Sequence, residues 1–231
     1  MSNRQEYIAE VKKLVPGANH PIGEPEIIKA IQKAINTHSK HRPRIVVEEV
    51  AGDEGFDYAV ADLAAWADDF SVVRQVEYPV DDTDEEAEIL EEDEWEIFET
   101  SSGKFLRFLA NTPDTTEEFR VTYTARHTCT DDDCSVAGGD DEAVQSLAAA
   151  HFCQMLATAY AQDQDSTVGA DRVDDLSKSA RYGRMRREYR AEYNEHMGIK
   201  DGKPKPASMN QDQDVMYPTG HDRLTHPKYR R

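Results

Sequence analysis

The chain has 231 residues, long enough for one large domain or two small ones with a real core. It carries 46 Asp/Glu against 27 Lys/Arg, a net charge of −19; so acidic a body excludes general binding to nucleic acid, where two negative surfaces would meet. The apolar fraction is 38% and contains no run of about 18 apolar residues, so no membrane-spanning helix is expected.

The first seven residues, Met-Ser-Asn-Arg-Gln-Glu-Tyr, lack the apolar stretch of a signal peptide, and residence in the cytosol where the chain is made is the expectation. Arg4–Val15 reads as a short amphipathic helix with Tyr7, Ile8, Val11, Leu14 and Val15 on one side. Pro16-Gly17 ends it. A second helix starts near Glu24, with Pro25 at the first helical position, where a missing N–H costs nothing. Ile27, Ile28, Ile31, Ala34 and Ile35 form its buried stripe, and Pro43 closes the segment.

The period then changes from 3.6 to 2. Arg44–Val50 is rich in β-branched residues, and Phe56, Tyr58 and Val60 alternate. So do Phe70, Val72, Arg74, Val76, Tyr78 and Val80 over eleven residues. Trp95 and Ile97 begin a further strand, Lys104–Leu109 another, and Phe119, Val121, Tyr123, Ala125 and His127 alternate against polar neighbours. Turn signals separate them at Gly52–Gly55, Ser101–Gly103 and Asn111–Asp114. Five or six antiparallel strands are expected, one face buried and one wet.

Two helices follow, Asp141–Tyr160 and about Asp171–Met197, joined by a linker short enough to make them antiparallel neighbours. Asp140 or Asp141 is placed to cap the first, whose stripe is Val144, Leu147, His151 and Met155, widened by Phe152 and Ala159. The second carries Tyr182, Met185, Tyr189 and Tyr193 at steps of three, four and four, a stripe for helix packing or a subunit interface. Gly198 is its natural stop. The expected fold class is α+β: a helical bundle of two N-terminal and two long C-terminal helices, with an inserted antiparallel β-domain and an extended C-terminal arm. The corresponding segments are 1–43, 44–128, 129–198 and 199–231.

Charge divides unevenly along this plan. Residues 178–231 hold 13 Lys/Arg and 7 Asp/Glu, net +6, and residues 1–177 hold 14 and 39, net −25. The arm has four prolines and few apolar residues, so by itself it cannot offset its ordering entropy. It is expected to fold on a neighbouring subunit or partner protein, with Met216, Tyr217, Leu224 and Tyr229 as apolar anchors.

Three constellations raise the question of chemistry. The run Asp81–Glu96 has eleven carboxylates and no base; it supplies hard oxygen ligands but lacks the glycine and spaced Glu of an EF-hand loop, and a solvated loop is the plainer reading. His127, Cys129, Cys134, His151 and Cys153 are zinc-ligand types, but their spacing fits no standard pair, and His151 and Cys153 point apart on a helix. With three cysteines, an odd number, reduced thiols are expected rather than a disulfide framework. No nucleophile elbow, phosphate-cradling glycine loop or His-Glu-x-x-His occurs, so no catalytic residue, cofactor or metal ligand is assigned.

The run from Glu142 to Gly198, with Ala-Val-Gln-Ser-Leu-Ala-Ala-Ala-His-Phe-Cys, then Asp-Ser-Thr-Val-Gly-Ala-Asp-Arg-Val, then Tyr-Gly-Arg-Met-Arg-Arg-Glu-Tyr-Arg-Ala-Glu-Tyr, resembles head–tail adaptor (connector) proteins of tailed double-stranded DNA bacteriophages and prophages. The strand-rich middle is similar more loosely. The resemblance implies a structural virion protein, not an enzyme: a ring of twelve copies below the portal, extending the DNA channel and joining the capsid vertex to the neck or tail. Its implied partners are the portal protein, the next neck or tail protein and further copies of itself. Genomic DNA would pass without sequence-specific binding, eased by acidic loops facing the channel, and no membrane is involved. The portal contact implied for the arm comprises Lys200, Lys203, Lys205, Met216 and Tyr217, then Arg223, Leu224, Tyr229 and Arg230. Two alternatives from other classes are a metal-dependent enzyme using the acidic run or the His/Cys group, and a monomeric cytosolic protein that binds a basic partner through its acidic face.

Overall fold

A computed structural model describes residues 2–17, 21–80, 88–91, 93–162 and 169–200. The chain has an α+β fold in the order α1 (Arg4–Leu14), α2 (Glu24–His41), β1 (Arg44–Ala51), β2 (Asp57–Ala59), a single 3₁₀ turn (Val60–Asp62), β3 (Val73–Glu77), β4 (Trp95–Thr100), β5 (Gly103–Phe108), β6 (Glu118–Ala125), α3 (Asp141–Gln162) and α4 (Gly169–His196).

Local chemistry starts the helices. Asn3 caps α1: its side chain accepts the Glu6 N–H at 3.0 Å, and the Glu6 carboxylate accepts the Asn3 N–H at 3.3 Å, which satisfies two donors that the first turn would otherwise leave unpaired. In α2 the Glu26 carboxylate accepts the Gly23 N–H at 3.2 Å, with Pro25 in the first turn. α4 stops at Gly198, whose φ of 64° lets the chain turn back and the Ile199 N–H reach the Asn194 carbonyl at 2.8 Å.

The helices enclose one core, built from Tyr7, Ile8 and Val11 of α1, Ile27, Ile31, Ala34 and Ile35 of α2, and most of α3. α3 is buried almost all round, since α1, α2 and α4 pack on different sides of it. Ala143, Ala148, Ala149 and Ala150 are buried there alongside Val144, Leu147, Phe152 and Leu156; the small residues let three neighbours approach closely. The expected single stripe is therefore too narrow. His151 and Met155, placed in it by spacing, are only half-buried, and Leu156, outside it, is fully buried.

The strands form two three-stranded antiparallel sheets, in the orders β1-β6-β3 and β2-β5-β4. A second core lies between them: Val60, Leu63, Val73, Val76, Leu106, Phe108, Phe119, Val121, Tyr123 and Ala125. Its centre is aromatic, with Tyr58, Phe108 and Phe119 in edge-to-face contacts at 4.6–5.6 Å between ring centroids. The chain leaves the helices through β1 and returns through β6. These two strands pair along their whole length, from Arg44 opposite Ala125 to Ala51 opposite Glu118, so both crossings share one hydrogen-bonded ribbon.

The alternation read over Phe70–Val80 is corrected. The strand is only Val73–Glu77, with an irregularity between Val73 and Gln75. An extra residue in a ladder reverses the side-chain parity on one side of it. Val76 stays inside, Val73 joins it, and Val72 is left 56% exposed.

Candidate functional site

The inner face of α4 carries the four aromatic and sulfur residues. Tyr182 and Tyr193 are buried, and Met185 and Tyr189 pack partly buried against the helical core. Tyr182 stacks on Tyr160 of α3, with ring centroids 5.6 Å apart and planes 5° from parallel. The Tyr189 hydroxyl donates to the Leu14 carbonyl at the end of α1 at 2.6 Å. Tyr193 places its hydroxyl 2.8 Å from His41 Nδ1 on α2. Tyr193→Ala should therefore cost about 2–4 kcal/mol, as a large-to-small core change does. Tyr189→Phe should cost about 1 kcal/mol for the lost hydrogen bond. Urea unfolding midpoints check both, and an unchanged midpoint for Tyr193→Ala would place that ring outside the load of the fold.

Beneath Tyr193 lies a buried polar junction that no spacing announced. Asp140, 2% exposed, precedes α3. Arg42 Nη1 donates to both of its carboxylate oxygens at 2.6 and 2.7 Å, and His196 Nε2 lies 2.9 Å away. His38 Nε2 stands 3.6 Å from the same carboxylate. One side chain thus ties the ends of α2 and α4 to the start of α3. Asp140 also starts α3, its carbonyl accepting the Val144 N–H at 3.0 Å, and Asp141 accepts the Tyr7 hydroxyl at 2.6 Å and the Ser2 hydroxyl. Burial would raise the Asp140 pKa, but the bonds from His196 and Arg42 and the nearby charges outweigh it and hold the carboxyl below its ordinary range. His38 has no exposed surface; burial first, then neighbouring His127, push it down to about 4, with Asp140 opposing.

The proposed zinc donors are not brought together. Cys129 and Cys134 form a disulfide across a tight loop, which corrects the expectation of reduced thiols: their five-residue separation bends back on itself and sets the sulfurs side by side. His127, beyond the end of β6, gives Nε2 to the Arg42 carbonyl at 3.0 Å and faces Ser135 with Nδ1. Cys153 is buried alone in the helical core, and burial pushes its thiol up to about 12. His151 opens into a surface dent with Lys33 and Gln154; burial and the charges of Lys33, Arg190 and Arg186 pull it down to about 4. Among the described residues no three His, Cys, Asp or Glu side chains are placed to share a metal ion.

Of the arm, Ile199 and Lys200 are described: Ile199 packs against the helical core and Lys200 is exposed. Lys203, Lys205, Met216, Tyr217, Arg223, Leu224, Tyr229 and Arg230 lie outside the described residues, as do 81–87 and 92 of the acidic run. The described surface has three features. The outer face of α4 presents exposed Arg181, Arg184 and Arg187. The outer face of the first sheet leaves Ile45, Val47 and Val72 more than half exposed, beside Arg120, which ion-pairs Glu49 of β1 and Glu77 of β3 across β6. Where the edge strands β1 and β2 part, there is a cleft of about 280 Å³, with Val50, Tyr58, Leu63, Leu106, Phe119 and Val121 inside and Glu48, Glu49 and Asp62 at its rim. Glu48 is held there by the Ala64 N–H at 3.0 Å and the Tyr123 hydroxyl at 2.8 Å. No described helix is long and apolar enough to cross a membrane.

No protein-family model matches the chain, and no curated protein matches it. Among solved structures, a chain from "Virion of native gene transfer agent (GTA) particle" aligns with 79% of this chain and 92% of its own length, at 12% identity and a TM-score of 0.30.

Proposed function

We propose that this chain is a structural protein of a virion neck: a head-to-tail adaptor that forms a twelve-membered ring below the portal, extends the DNA channel and offers a platform to the next neck or tail protein. The sequence resemblance over Glu142–Gly198 supplies the class. The observation that carries the reading is the division of surface charge on a folded body. Arg181, Arg184 and Arg187 stand exposed on α4 and lead into a basic C-terminal segment, while residues 1–177 carry a net −25. A head-to-tail ring needs two different, complementary faces on every copy, and a basic end on an acidic chain is the composition that such faces call for. The acidic body suits a channel along which DNA slides without being gripped. The segment 200–231 makes the assembly contacts, with the portal and between copies. The function is mechanical, and no bond is made or broken.

The test is electron-microscope imaging of the protein in particles from its natural source, classified for rotational symmetry. A closed twelve-fold ring stacked on a portal is expected; particles that lack the chain would sink the reading. Deleting residues 200–231 should leave the helical circular dichroism and melting temperature intact and stop particle assembly. Normal particles from that deletion would remove the segment from the contact.

A further inference from the structure

We propose that the cleft between β1 and β2 is a strand-binding site for the end of the C-terminal segment, residues 228–231, of a neighbouring copy. The proposal rests on the ring reading above and names the groove and the segment that would close it.

The backbone supplies the first argument. β1 and β2 are edge strands of separate sheets, and four consecutive β1 residues, Glu48–Ala51, line the opening. In an antiparallel ribbon alternate residues turn their N–H and C=O groups away from the paired strand. Those of β1 that turn from β6 face the cleft and are a template for one more strand.

The lining supplies the second. At about 280 Å³ the cleft falls just short of the roughly 300–1,000 Å³ typical of small-molecule pockets, so it suits a large side chain with its backbone better than a free ligand. The interior is apolar. The rim is acidic, and no Lys or Arg is among the lining residues. Asp62 has no ion-pair partner among the described residues. The complement is an extended segment with one aromatic ring among cations.

The chain itself contains that segment in Lys228-Tyr229-Arg230-Arg231. Tyr229 enters the apolar interior, and the long stem of a flanking cation reaches Asp62 at the rim, since Glu49 is already paired with Arg120. The 28 residues between Lys200 and Tyr229 extend to roughly 90–100 Å at full stretch, enough to leave their own body for the next. A strap from each copy into the groove of its neighbour is a heterologous contact, the kind that generates a closed ring. Lys200, Lys203 and Lys205 stay free for the portal.

The experiment uses the full-length chain and a synthetic peptide of residues 221–231 with photoreactive benzoylphenylalanine in place of Tyr229. The peptide is titrated and illuminated, and the cross-links are mapped by mass spectrometry. Saturable binding is expected, with cross-links on residues 48–63 and 119–121. Asp62→Lys should weaken binding at least tenfold with no change in melting temperature. Cross-links elsewhere, or binding indifferent to Asp62→Lys, overturn the assignment. In rings assembled from equal amounts of ¹⁵N-labelled and unlabelled chain carrying the photoreactive residue at position 229, mixed-isotope cross-links are expected; exclusively same-isotope ones mean that the segment folds back on its own body and overturn the second copy. Rings in purified particles together with a peptide that does not bind would sink the cleft assignment and leave the adaptor reading standing. A bound peptide with no ring-forming particle would sink the adaptor reading and with it the neighbouring copy.

Discussion

Replacing Asp140 by alanine should destabilise the protein by about 3 kcal/mol, read as a lower urea midpoint with an unchanged slope. The carboxylate is 2% exposed and takes two bonds from Arg42 and one from His196, with His38 3.6 Å away. Breaking a buried pair by removing one partner costs about 3–5 kcal/mol because the remaining charge is left uncompensated. The lower end applies here, since the Arg42 side chain is 57% exposed and can rehydrate. Asp140→Asn keeps the shape and loses the charge, so it should fall between wild type and alanine. His196→Gln, at a ring already open to solvent, should cost about 1 kcal/mol. A loss below about 1 kcal/mol for Asp140→Ala would mean that the junction carries no net stability.

Acid should unfold the protein well above the pH at which its carboxylates titrate. His38 and His151 are both held near 4 in the folded state, against 6.5 for an unperturbed ring. A base with a depressed folded pKa binds its proton more readily when unfolded. Stability is therefore full above about pH 6.5 and falls as pH drops toward 4. At His38, without exposed surface, the loss reaches ~3 kcal/mol below that range; at half-buried His151 it is smaller. His41 shifts in the same direction through burial and Arg190. Asp140, held low by its cations, adds its own loss at still lower pH. Among the described residues, His38 faces Asp140, whose charge raises it, and His127, Arg42 and His41, whose charges lower it, with the Tyr193 hydroxyl at 3.5 Å from Nδ1. Total stabilities of 5–15 kcal/mol are usual, so the urea midpoint should drop steeply between pH 6.5 and 4. His38→Asn should flatten that slope, and Asp140→Ala should steepen it, because the one charge that favours protonated His38 is gone. A midpoint constant from pH 7 to 4.5 would refute the account.

These two expectations hang on contacts that join residues 98 and 56 positions apart, and they mark what could and could not be read from the chain. Periodicity is local. The 3.6-residue stripes of Tyr7–Val11 and Ile27–Ile35 sufficed for α1 and α2, as did Phe119–Ala125 for β6, because each needs only its own neighbours to define a face. Gly198 as the stop of α4 is legible for the same reason: one residue without a Cβ can turn at positive φ.

Tertiary structure alone decided the rest. α3 has no single face because three helices pack around it, and no stripe can show how many neighbours a helix will have. The irregularity between Val73 and Gln75 turned Val72 outward against a clean alternation, since parity is set by the partner strand β6 and not by β3 alone. Cys129 and Cys134 meet because a loop closes, which counting cysteines cannot reveal. Asp140 was legible as the start of α3, where its carbonyl accepts the Val144 N–H; that its carboxylate is also the buried tie between three helices depends on Arg42 and His196, which only folding brings to it. The cleft likewise exists only because β1 and β2 end up as edges of different sheets. Glu48, Glu49 and Asp62 carry no signal in the sequence that sets them apart from its other carboxylates, and the space between them is a product of the fold.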